Sequence, residues 1–189
     1  KDFFNKLFYL EKDNLMAVKD ILLLGNPVLR MKSKKVEKIT DKVEETITDL
    51  RETLESFRNK FGFGRGISAP QIGSLSRIIF VDIGEKIALI NPRIISRSQE
   101  TMRLWDDCFS FPEIVVKVKR YKRIRVEYFD DTFKRKIREF VGDQSELLQH
   151  EIDHLDGVLA LDRAIDSTHI ILRSEWEKLM HSRKKDYLL

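Results

Sequence analysis

Gln149-His150-Glu151-Ile152-Asp153-His154 is an H-E-x-x-H pattern within Gln144 to Leu155, a stretch that reads as a helix after Gly142. Side chains four residues apart share a helix face, so the imidazoles of His150 and His154 can reach one ion. Glu151 lies about 60° around the helix from His154, close enough to touch a metal-bound water without ligating the ion. A hydrolytic centre usually takes three protein ligands and keeps one position open. Cys108, the single cysteine, is the natural third candidate, because a thiolate with two imidazoles is an established tetrahedral set. One cysteine cannot form an intramolecular disulfide, so a special role for it comes from the thiolate, and a reducing compartment, the cytoplasm, is expected.

Outward from this helix, strand-like runs at Arg77 to Ile83 and Lys86 to Ile90 flank Gly84-Glu85 as a hairpin, and Asn91-Pro92 breaks the ladder. Val115 to Phe129 is one extended region, turned back by Asp130-Asp131-Thr132 through Phe133 to Phe140. Val43, Ile47, Leu50, Leu54 and Phe57 recur at helical spacing from Thr40, with Asp41 and Glu44 as a capping-box start and an end near Gly62. The next block, Phe61 to Gly73, holds four glycines and Pro70 and reads as a shaped loop of the kind that lines sites. Ser167 to Arg183 reads as a terminal helix. Strands and helices are segregated, which favours an α+β fold over a parallel sheet.

The 189 residues, 42% hydrophobic and 35% charged, supply one domain with a real core. The longest apolar runs, Ile21 to Leu24 among them, are strand-sized, far short of the roughly 18 residues that span a bilayer. Lys1 to Asn14 resembles no targeting signal, and Met16-Ala17-Val18 reads like a natural start. Residues 1–15 are therefore expected to be an N-terminal extension and residues 16–189 a single metallohydrolase domain. The net charge of +4 permits anionic partners without demanding one. Gly64-Arg65-Gly66 precedes Pro70 and a strand rather than opening a helix, so no nucleotide cofactor is expected.

Three motifs carry a family resemblance. Gly64-Arg65-Gly66-Ile67-Ser68-Ala69-Pro70-Gln71-Ile72-Gly73 resembles the first motif of peptide deformylases, Asp106-Asp107-Cys108-Phe109-Ser110 the second, and Gln149 to His154 the third, in family order and at family-like spacing. Further matches at Ile21-Leu22, Gly25 to Arg30, Asn91-Pro92-Arg93 and Leu155-Asp156-Gly157 extend the resemblance over Val18 to Arg163. It implies antiparallel sheets around a central helix carrying H-E-x-x-H, with a C-terminal helix. The implied activity is a hydrolase that removes the formyl group from the N-terminal methionine of new polypeptides and releases formate. By position, Cys108, His150 and His154 would hold one divalent metal, commonly Fe(II) natively and often Zn or Ni after purification. Such a metal makes hydroxide available near neutral pH, and Glu151 would take the proton and pass it to the leaving amine. Gln71 through its side-chain amide and Phe109 through its backbone N–H match the family's donors to the formyl oxygen, and Gly66 would pair its backbone with the substrate.

Four positions depart from the family pattern. Arg65 replaces an aliphatic residue, Asp107 a glycine, Phe109 a leucine, and Asp106 stands where glutamate is usual. Arg65 and Asp107 join the substrate-binding candidates: Arg65 could pair with Asp107 or read a substrate carboxylate, with Glu146 one turn before His150 adding a charge nearby. Asp153 reads equally as an orienting residue or an exposed helix aspartate.

Three other readings compete. Cys108 could be the nucleophile of a cysteine hydrolase with a histidine base, which leaves the His150-Glu151-His154 spacing unexplained. Lys117, Lys119, Arg120, Lys122, Arg123 and Arg125 around Tyr121 could form a nucleic-acid or ribosome-binding module, although Glu113, Glu127, Asp130 and Asp131 flank them. The same basic hairpin, or the Arg183-Lys184-Lys185 tail, could dock an active enzyme at the ribosome. Lastly, the departures could mark a deformylase-like protein with altered substrate or lost activity.

Overall fold

The computed structural model describes residues 18–181, so the expectations for residues 1–15 and for the Arg183-Lys184-Lys185 tail lie outside the described residues. Three helices are α1 (Asp41–Phe61), α2 (Asp143–Leu155) and α3 (Arg173–His181). Eight strands are β1 (Gly66–Ser68), β2 (Ile78–Asp82), β3 (Lys86–Arg97), β4 (Thr101–Asp107), β5 (Ile114–Tyr121), β6 (Arg123–Phe129), β7 (Arg135–Val141) and β8 (Ile170–Leu172). They form a five-stranded sheet, order β1-β2-β3-β6-β7, and a three-stranded sheet, order β4-β5-β8. Every strand pairing within them is antiparallel, as the α+β reading requires.

The continuous apolar run of β2 is explained by burial on both faces. Ile78 and Phe80 pack with Val43, Ile47, Leu50 and Leu54 of α1. Ile79 and Val81 point the other way, into a cluster with Leu147, Leu148, Ile152 and Leu155 of α2 and with Ile124, Val126 and Phe140. The large sheet is thus held between two helices. A third cluster places Cys108 beside Leu29, Phe111, Val116 and Val118, next to the small sheet.

Several expected boundaries shift. Val115 to Phe129 is two strands, because β5 joins the small sheet and β6 the large one, with Lys122 between them. Asn91-Pro92 does not end β3 but shifts its register against β6. Asn91 adopts a φ of 53°, and its side-chain amide takes over both backbone groups of Val36, accepting from N–H at 2.9 Å and donating to C=O at 2.7 Å. The terminal segment is not one helix from Ser167: a 3-10 turn over Ser167–His169 and β8 precede α3, since the edge of β5 at Ile114 to Val116 takes a partner strand there. Thr40 rather than Asp41 is the N-cap of α1, without a side-chain capping bond, while Asp41 and Glu44 sit in the first turn and complement the helix dipole. β4, the strand that delivers Cys108, carries no clear strand pattern in sequence.

Candidate metal centre

Cys108 follows directly on β4, and two turns of α2 place His150 and His154 opposite it. All three are buried. Cys108 Sγ lies 3.2 Å from His154 Nε2, which lies 3.2 Å from His150 Nε2. Three donors around one tetrahedral ion at ordinary bond lengths stand about 3.3 to 3.6 Å apart, so the cluster fits a metal with little adjustment. Ser110 N–H donates to the Cys108 sulfur at 3.4 Å, which fixes where the sulfur stands.

Asp106 sets the histidines' roles. Its Oδ1 lies 2.9 Å from His150 Nδ1, which leaves His150 Nε2 to face Cys108 and His154. Burial alone would lower the pKa of His150, but Asp106 and Cys108 outweigh it and push it well above the usual range. Burial and the neighbouring His150 hold His154 well below its usual pKa, in the neutral form that ligates.

Glu151 is 3% exposed, and burial pushes its pKa up to about 7. Among the described residues its Oε2 has no hydrogen-bond partner. Gln71 sits in a 3-10 turn, Ala69–Ile72, where Ser68 orients its amide: Oε1 accepts from Ser68 N–H at 2.9 Å and Ser68 Oγ at 3.1 Å. The amide nitrogen is thereby turned toward Cys108 Sγ, at 3.6 Å.

β1 ends the large sheet, so among the described residues one of its edges is open. Asp82 N–H donates to Arg65 C=O at 2.8 Å, and hydrogen-bonded pairs alternate along an antiparallel ladder. Gly66, opposite Val81, is therefore a non-hydrogen-bonded pair, and its N–H and C=O face the open edge. Among the described residues the Phe109 N–H also has no acceptor. All the candidate residues except His154 line one cavity of about 530 Å³; His154 touches Cys108 and His150 without lining it.

The polypeptide deformylase family model matches residues 18–169. The chain belongs to the polypeptide deformylase family. It is 43% identical over 152 residues to the peptide deformylase of Dictyoglomus thermophilum, covering 80% of this chain and 95% of that one. With the peptide deformylase of Pseudothermotoga lettingae it shares 39% identity over 171 residues, 90% and 97% of the two chains. Its structure is similar to the crystal structure of Thermotoga maritima peptide deformylase, with a TM-score of 0.73 and 37% identity over 79% of this chain and 99% of that one. It is also similar to a Synechococcus elongatus peptide deformylase in complex with actinonin, with a TM-score of 0.75, 29% identity and 88% coverage of both.

Against the deformylase pattern, the unusual residues have defined partners. Arg65 does not pair with Asp107, one of the options its position left open. Successive strand residues point to opposite faces, so with Asp106 turned in to His150, Asp107 turns out to Arg173, at 2.7 Å. Arg65 instead binds Glu146 Oε2 at 2.9 Å and the Asp143 carbonyl at 3.2 Å. The ring of Phe109 stacks on Phe57 with centroids 3.8 Å apart, so its side chain belongs to an aromatic patch with Phe61 and Phe63 while its N–H remains at the site.

One residue of the basic run, Arg120, lies buried beside the metal-ligand cluster. Arg120 is 4% exposed and lies between Asp106, at 3.1 Å, and Asp153, at 2.5 Å; Asp153 in turn meets Arg163 at 2.8 Å. Asp153 is thus a buried, ion-paired residue rather than an exposed helix aspartate, and Arg120 and Lys117 are buried rather than part of an exposed nucleic-acid face. The available signal was strand alternation: Arg120 follows Val116 and Val118 on one face, and an arginine on an apolar face calls for buried carboxylates.

Proposed function

We propose that Cys108, His150 and His154 hold one divalent metal ion, and that Glu151, Gln71, Phe109 and Gly66 work around it in the deformylation of peptides. As a member of its family, the chain is a metal-dependent peptide deformylase: it hydrolyses the N-terminal formyl group of nascent formylmethionyl polypeptides and releases formate. The observation that carries the site assignment is the convergence of three buried ligand atoms, from a β-strand end and one helix face, within 4.8 Å of one another. Thiolate with imidazole suits Fe(II), Zn and Ni; Fe(II) is our reading of the native ion, with Zn or Ni able to take its place.

When bound, the ion supplies Lewis-acid chemistry that polarises the formyl group and makes water nucleophilic near neutral pH. Glu151, with its pKa near 7, accepts a proton from the attacking water and returns it to the nitrogen as the carbon–nitrogen bond breaks; the water oxygen leaves in formate. The Gln71 amide, held by Ser68, and the Phe109 N–H donate to the formyl oxygen as it gains negative charge. Gly66 pairs with the peptide backbone along the open edge of β1. Arg65 and Asp107, both on the cavity wall, contact the substrate beyond its formyl group.

The free Cys108 thiol fits a reducing compartment, which we take to be the cytoplasm. Among the described residues no helix is long and apolar enough to cross a membrane. Exposed Lys119, Lys122, Arg123 and Arg125, at the junction of β5 and β6, are the part of the basic run open to a ribosomal surface, and no nucleotide cofactor enters this reading.

The test is formate release from a formyl-Met tripeptide by anaerobically purified protein, with bound metal quantified in the same sample. Release with one equivalent of metal, lost on chelation, is the expected result. Release that survives complete metal removal would instead favour Cys108 as a nucleophile, with His154 at 3.2 Å as its base.

A further inference from the structure

The Arg65–Glu146 ion pair is built into the wall of the cavity beside the metal cluster. Glu146 stands four residues before His150 on α2, so it occupies the same helix face about one turn away, about 6 Å along the axis. Its carboxylate, Asp106 and the His150 ring all offer atoms within 4.8 Å of one another. Arg65 immediately precedes Gly66, whose backbone faces the open edge of β1. The two side chains differ in exposure, 46% for Arg65 against 9% for Glu146, so the guanidinium is the open half of the pair.

This geometry bears on one part of the substrate. With the formyl carbon at the cluster and the peptide backbone along Gly66, the side chain of the formylated residue starts one atom beyond the amide nitrogen. One wall of the cavity it enters, between His150 and Arg65, carries Leu147, which offers apolar contact, and Glu146 with Arg65, which offer charge. An apolar side chain seated there strips water from an ion pair without replacing its hydrogen bonds, which is costly. A neutral amide replaces them: its N–H groups can donate to Glu146 and its oxygen can accept from Arg65, which uses only one N–H on each terminal nitrogen for Asp143 and Glu146. A charged side chain would meet a like charge in either half of the pair.

We propose that Arg65 and Glu146 determine specificity at the first side chain, extending the substrate class from formylmethionyl peptides to formyl peptides that begin with a neutral, hydrogen-bonding side chain of similar length, glutamine above all. The inference rests on the deformylase reading.

The experiment compares kcat/KM for tripeptides that differ only in the formylated residue: methionine, norleucine or glutamine. For the wild-type protein, formyl-Gln should fall within about tenfold of formyl-Met, and the double variant Arg65→Leu/Glu146→Leu should lower the Gln-to-norleucine ratio by about tenfold or more, the value of one hydrogen bond to a charged group. Replacing both partners avoids leaving a buried charge alone. Should that variant fail to fold, as seen by circular dichroism, the wild-type series decides by itself. Formyl-Gln turned over a hundredfold or more below formyl-Met, or an unchanged ratio in the folded double variant, would overturn the proposal while leaving the deformylase reading intact. No formate from any of the three peptides by metal-loaded protein would remove both.

Discussion

Gly66 leaves just enough room for Glu151 across the site: a Cβ added at Gly66 would stand 3.1 Å from Glu151 Oε1 and 3.0 Å from Leu147 Cδ1. Only a residue without a side chain lets β1 come this close to α2 without a shift. Gly66→Ala should therefore displace the Glu151 carboxylate, cutting kcat by about tenfold to a hundredfold while costing about 1 to 3 kcal/mol of stability. Steady-state kinetics beside a thermal melt measure both, and unchanged kcat would show that the carboxylate adjusts freely.

Glu151→Gln keeps the size of the side chain but removes the proton carrier. Bound metal should stay at the wild-type stoichiometry while kcat drops by about 10² to 10⁴. Metal analysis and formate release on one sample check it; full activity would remove Glu151 from the mechanism.

Arg120 holds Asp106 and Asp153, both buried, at 3.1 and 2.5 Å. Arg120→Met should leave two carboxylates without their shared cation and cost about 3 to 5 kcal/mol in stability, read from urea unfolding. Asp106→Asn should weaken metal binding by about tenfold to a hundredfold, because the partner that orients His150 loses its charge. Metal affinity equal to wild type in a competition titration would argue against that orienting role.

Asp130 closes the turn between β6 and β7, accepting from the N–H groups of Lys134 and Thr132. The Lys134 bond first, then Thr132, lowers its pKa to about 2. A carboxylate with a depressed folded-state pKa contributes stability that is fully present above its unfolded value, about 4, and lost as pH falls toward about 2. Asp130→Asn retains an acceptor oxygen but cannot titrate, so its unfolding free energy should depend less steeply on pH in that window. Identical slopes for variant and wild type in acid unfolding would contradict this.

Local pattern made much of the molecule legible. The 3.6-residue repeat of Val43, Ile47, Leu50 and Leu54 marked α1, the pair β2–β3 flanked Gly84-Glu85 as expected, and the histidine spacing marked α2, because each signal lies within a few residues of chain. The break at Lys122 was not legible. Val115 to Phe129 has one continuous extended pattern, and which sheet each half joins depends on strands β4 and β3, remote in sequence. Arg120 was hidden for the same reason: inside a basic run, only the partner carboxylates distinguish a buried guanidinium from a solvated one.

The residue types and the helical spacing of His150, Glu151 and His154 follow from sequence alone, since helix geometry puts residues four apart on one face whatever surrounds them. The α+β segregation and the family motifs are likewise sequence properties. Only the tertiary structure decided that β4 would carry Cys108 to 3.2 Å from His154, that Glu146 rather than Asp107 would hold Arg65, and that Asp106, Arg120 and Asp153 would form one buried chain. The physical reason is range: a charge selects its partner by distance and burial after the chain has folded, and neither quantity is written in the order of residues.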